Sequence, residues 1–106
     1  MPLEDSSAID LIFPAPDGRV LLIVTDSGAS PDERRAELLH AKLAAYAAYL
    51  TSDRFRREHP GKSPADALIR VTCARAPTES MASIRSIQLP PPASASVPVE
   101  FQRFDG

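Results

Sequence analysis

The stretch SPDERRAELLHAKLAAYAAYL, residues 30–50, decides the reading of the fold. It is the one segment long and periodic enough to read plainly as a helix. Ser30 reads as the N-cap, its hydroxyl accepting from a free backbone N–H of the first turn. Pro31 then takes the first helical position, where a missing N–H is no loss. Glu33 follows the cap at the spacing of a capping box. Asp32 and Glu33 also put negative charge at the positive end of the helix dipole. Beyond this start, Ala36, Leu39, Leu43, Tyr46, Ala47 and Leu50 recur at three- and four-residue spacing and form one apolar stripe. Leu38, Ala45 and Tyr49 make a narrower line beside it, with Lys42 between the two. The remaining face carries Glu37, Ala41, Ala44 and Ala48 and has little relief. Alanine there serves helix propensity or, flanked by Tyr49, lets another chain come close. At about 1.5 Å per residue the helix is roughly 30 Å long, enough to cross a small sheet.

Upstream, Ala8 to Phe13 alternates, with Ile9, Leu11 and Phe13 on one side and Asp10 and Ile12 on the other. Asp17-Gly18 is a turn signal. Val20 to Thr25 is a continuous apolar run rich in β-branched residues, so the two segments read as a β-hairpin. Val20, Leu22 and Val24 face one way, and Leu21 and Ile23 face the other. A strand apolar on both faces is either covered twice, or covered once and used in an interface. One helix cannot cover both faces, so Leu21 and Ile23 predict self-association.

Downstream, Asp26 to Ala29 reads as loop. Thr51-Ser52-Asp53 resembles a fresh cap, with a short helical turn from Arg54 to His59 ended by Pro60-Gly61. Ala67 to Arg75 alternates, Ile69, Val71 and Cys73 against Arg70 and Thr72, and reads as the third strand. Thr78 to Leu89 fits a short helix through Met81, Ile84 and Ile87, or a strand over Ile87 to Leu89. Pro90 to Pro92 is a stiff connector, continued softly by Ala93 to Ser96. Val97, Val99 and Phe101 alternate with Pro98, Glu100 and Gln102, and Pro98 predicts an edge strand. The expectation is one α+β domain over residues 1–106, with 1–7 and 90–96 loose or extended. A mostly antiparallel sheet of about four strands, in the order β-β-α-β-(α)-β, carries the long helix on one face.

The totals exclude several classes. A chain of 106 residues, 43% apolar and 25% charged, is an ordinary globular domain with one modest core. A net charge of −2, from 12 basic and 14 acidic residues, gives no general pull toward nucleic acid or an anionic membrane. The single cysteine, Cys73, forbids an internal disulfide and fits a reducing compartment. Met1 is not followed by a basic region and an apolar run, and no apolar run reaches membrane length. These features predict a cytoplasmic protein, and the wealth of Ala and Arg over Lys is associated with GC-rich bacteria.

Candidates for chemistry are few. His40 and His59 stand 19 residues apart, and neither has a partner at metal-ligand spacing, so no metal or cofactor is expected. His40 falls on the margin of the apolar stripe as a half-buried helix residue. Cys73 falls on the inner face of a strand as a small core residue. Asp26 and Glu33 fit structural roles, at a strand end and a helix cap, better than acid–base work. A possible polar site combines Asp26, His40 and Lys42. Arg54, Arg56 and Arg57 form a possible basic patch, which the dipole at a helix C-terminus also favours on its own.

The run Leu38 to Leu50, with Lys42, Leu43 and Tyr46 at their spacing, followed by Ser52 and His59-Pro60, resembles a small bacterial family of proteins of unknown function. In that family a strand pair ending in Asp, here Asp26, leads into such a helix, then a proline-ended turn and another strand. Asp10 and Pro60 also match, and the likeness spans residues 8–76. Ala45 departs from the asparagine frequent there, no tryptophan follows Asp26, and the tail after Pro77 differs. The resemblance implies the order of elements and no activity. The expected function is a non-enzymatic protein-interaction module, a homodimer or one with a single protein partner. The interaction residues are Leu21 and Ile23, or Ala41, Ala44, Ala48 and Tyr49. The alternative is a small enzyme or ligand-binding domain using the polar site.

Overall fold

The computed structural model describes residues 11–14, 17–26, 30–91 and 94–103. The first seven residues, the predicted strand start over 8–10 and most of the loop after Asp26 lie outside the described residues. β1 (Leu11–Pro14) and β2 (Val20–Asp26) form the expected antiparallel hairpin, with Leu11 opposite Ile23 and Pro14 opposite Val20. Gly18 in its turn sits at φ 87°, a conformation glycine reaches without the Cβ penalty.

The long helix α1 (Asp32–Leu50) begins one residue later than its sequence signals suggest. Pro31, with φ −63° and ψ 153°, is the cap residue, and it supplies no side-chain cap. The reading of Ser30 as the cap, with Glu33 closing a box, is therefore corrected. The start of α1 is held instead by ion pairs described below. At the other end the restart is as expected. Ser52 caps α2 (Asp53–Glu58), its Oγ accepting from Phe55 N at 3.3 Å.

After a 3-10 turn at Pro64–Asp66 come β3 (Ala67–Cys73), α3 (Glu79–Ala82), β4 (Ser86–Gln88) and β5 (Ser96–Arg103). Thr78 to Leu89 thus holds both a helical turn and a strand. Among the described residues the sheet has five strands, in the order β1-β2-β3-β5-β4. It is mixed, not mostly antiparallel, because β2, β3 and β5 run parallel and only the outer strands are antiparallel. The cause lies in the connections. After β2 the chain returns along α1 and α2 and re-enters the sheet in its original direction. A crossover of that length makes neighbouring strands parallel.

The edge reading of the last strand is also corrected, since β5 lies between β3 and β4. Pro98 is tolerated there because the ladder to β3 begins only at Val99. Toward β4, Val99 N donates to Arg85 O and Leu89 N to Ala95 O, which places Pro98 opposite Ser86 at a site needing no donor. The Pro90–Ala95 connection closes the β4–β5 hairpin.

The three α-helices of the described residues pack on one face of the sheet. Val20, Leu22 and Val24 of β2 share a core with Ile69 and Val71 of β3 and Val97 and Val99 of β5. Leu39, Leu43, Tyr46 and Leu50 of α1, Phe55 of α2 and Met81 of α3 close it from above. Burial of each such side chain is worth about 1.5–3 kcal/mol. Tyr46 adds a tie, its hydroxyl donating to Ile23 O at 2.7 Å.

Candidate functional site

The strongest polar feature is a buried ion pair at the C-terminal ends of the parallel strands. Asp26 ends β2, and Arg35 lies one turn into α1. Both are about 1% exposed. The guanidinium Nε and Nη2 donate to Asp26 Oδ2 at 2.9 and 2.6 Å. Nη2 also donates to Arg75 O at 3.1 Å, and Nη1 to Asp32 Oδ1 at 3.2 Å and Ala76 O at 3.0 Å. An arginine has five N–H groups, and each has an acceptor here. Arg75 in turn donates to Ser30 O at 2.9 Å and pairs with Asp32 at 3.2 Å. The cluster fastens the end of β2, the start of α1 and the chain after β3. With every Arg35 donor taken inside the fold, it works as a staple and offers nothing to a substrate. Sequence reading missed Arg35. The available signal was an acid closing a strand and a base in the first turn of the next helix.

Cys73 is opposite Asp26 in the β2–β3 register and fully buried. Burial, reinforced by the Asp26 carboxylate, pushes its thiol above the ordinary range. The thiol therefore stays protonated and shielded. In the native protein Cys73 should react with an aromatic disulfide reagent at least about 100-fold more slowly than in denaturant. Comparable rates would refute its shielding.

The three residues of the predicted polar site do not converge. Asp26 is bound to Arg35. Lys42 is fully buried, with Nζ 5.7 Å from the Tyr46 ring centroid. His40 is exposed rather than half-buried. At about 100° per residue, positions two apart leave a helix on nearly opposite sides, so His40 and Lys42 diverge. Among the described residues no cluster of three or more His, Cys, Asp or Glu is placed to hold a metal ion.

Around α2, Tyr49 is buried, its hydroxyl donating to Glu58 Oε1 at 2.6 Å and its ring meeting Phe55 edge-on at 5.6 Å. Tyr49 therefore belongs to the core and does not flank an interaction surface, which corrects that expectation. Ala41, Ala44 and Ala48 are exposed. Arg54, Arg56 and Arg57 are exposed too, but Arg54 pairs with Glu58 and Arg56 with Asp53. The hydrogen bond from Tyr49, then that from Arg54, holds the Glu58 carboxyl below its ordinary value. A depressed carboxyl contributes stability that is complete above its unfolded pKa and lost as pH falls through the folded one. The urea midpoint should therefore fall below about pH 4, and Glu58→Gln should flatten that fall. An unchanged slope in the variant would contradict the assignment.

The open face of the sheet is a second candidate surface. Leu21, Ile23 and Thr25 of β2 and Leu68, Arg70 and Thr72 of β3 alternate with the buried residues and are only partly covered. Register sets Leu21 beside Leu68, Ile23 beside Arg70, and Arg70 beside Glu100 of β5. Arg70 and Glu100 pair at 2.5 Å with their side chains 33% and 46% exposed. They are the two charges on this face among the described strand residues whose side chains are placed. No helix of the described chain is long and apolar enough to cross a membrane. Compared with family models, with curated proteins and with solved structures, the chain matches none of them.

Proposed function

We propose that this protein is a non-enzymatic interaction module that pairs with a second copy of itself through the open sheet face. The observation that carries the reading is the half-covered row of Leu21, Ile23 and Leu68 on the side away from all three helices. Charge favours a copy as the occupant. Among the described residues the face bears one cation beside one anion, so a two-fold axis can set Arg70 of each subunit toward Glu100 of the other without net repulsion.

Size sets the strength. The strands have 4, 7, 7, 3 and 8 residues, and at about 3.3 Å per residue and about 4.8 Å between strands they give a plane of roughly 450 Å². That is at the small end for a stable interface, so the dimer should dissociate at about 1–100 µM. Light scattering on eluted protein across that range should show the mass rise from one chain to two. A single-chain mass at every concentration would remove the proposal. The alternative of an enzyme at Asp26, His40 and Lys42 lacks support, since Asp26 is engaged and His40 and Lys42 point apart.

A further inference from the structure

On the opposite side of the molecule from the open face, α1 overhangs the outer edge of the sheet and leaves a groove of about 570 Å³. Its helix wall is Leu43, Ala44 and Ala47, and its strand wall is Ser86, Ile87 and Gln88. Among the described residues β4 pairs on one side only, with β5. Because residues 85 and 89 bond inward to Val99 and Ala95, the register turns the backbone N–H and C=O groups of Ser86 and Gln88 outward. The alanines matter here. At Ala44 and Ala47 the helix presents only methyl groups above that edge, which leaves width for one more strand.

Among the described residues that line the groove, Arg85 carries a positive charge, His40 adds an imidazole, and none is acidic. Arg85 has no ion pair among the described residues. The geometry points to a docking site for an extended peptide of a protein partner, added beside β4. Its backbone bonds to Ser86 and Gln88, small apolar side chains cover Leu43, Ala44 and Ala47, and an acidic side chain meets Arg85 and His40. Strand addition gives affinity through main-chain bonds and selectivity through alternate side chains. This site is separate from the open sheet face, so it stands or falls independently of the dimer.

The test uses the full chain and a fluorescent, end-blocked hexapeptide, Glu-Val-Thr-Val-Thr-Val, followed by anisotropy. Saturable binding is expected with Kd of about 10–100 µM. Ala44→Trp, which fills the groove from an exposed position, should weaken it at least tenfold while circular dichroism stays native. N-methylation of the peptide's central amides should abolish it, and Lys in place of Glu should weaken it at least fivefold. No saturation at millimolar protein overturns the proposal. Equal binding by Ala44→Trp, by the methylated peptide or by the Lys peptide overturns it as well.

Discussion

Arg35→Met should lose about 3–5 kcal/mol of folding stability, which lowers the melting temperature of a domain this size by roughly 15–30 °C. The reason is asymmetry. The buried guanidinium makes five hydrogen bonds to four acceptor atoms. Taking it away removes the bidentate guanidinium from the buried Asp26 carboxylate and a donor from each of the carbonyls of Arg75 and Ala76. Removing one member of a buried pair is far more costly than replacing both. Asp26→Leu combined with Arg35→Met should therefore be more stable than Arg35→Met alone. Urea titration followed by circular dichroism measures both. A loss under about 1 kcal/mol for the single variant would mean the pair does not hold α1 to the sheet.

Ile23→Lys should shift self-association by at least about 100-fold, because a buried lysine at the centre of an interface faces its own copy. Ile23 sits beside Arg70 in the register, so the new charge also meets an existing cation. Its fold should survive, since Ile23 lies outside the core that closes under α1. The variant should run as a single chain at concentrations where the parent pairs, with native circular dichroism. Pairing equal to that of the parent would place the contact elsewhere.

How much was legible follows from where the information lies. α1 was readable because its stripe, Leu39 to Leu50, is a local pattern. The capped restart at Ser52 was readable for the same reason. The hairpin before it was announced by Asp17-Gly18. Sheet order was not readable, because strand direction depends on how far a crossover carries the chain. Pro98 misled in the same way. A proline excludes a hydrogen bond on one side at one position, and the start of the β3–β5 ladder at Val99 meets that restriction inside the sheet. The start of α1 was misplaced because Ser30 offers a good local cap, while the long-range contacts of Arg35 decide the outcome.

Charged residues were the hardest to place. Arg35 in an acidic first turn reads as solvated, and only its link to Asp26, at the end of the preceding strand, reveals its burial. Lys42 carried a signal in its position between two apolar lines. The candidate surfaces divide similarly. Alternation alone assigned Leu21 and Ile23 to a second face. The groove beside β4 arises from the meeting of α1 with a strand far along the chain.

The most direct check is isotope-filtered NMR on a mixture of labelled and unlabelled protein at millimolar concentration. Intermolecular contacts should appear at the methyl groups of Leu21, Ile23 and Leu68 and be absent from Leu39 and Met81. Intermolecular contacts confined to Ala41, Ala44 and Ala48, or none at all, would contradict pairing through the open face of the sheet.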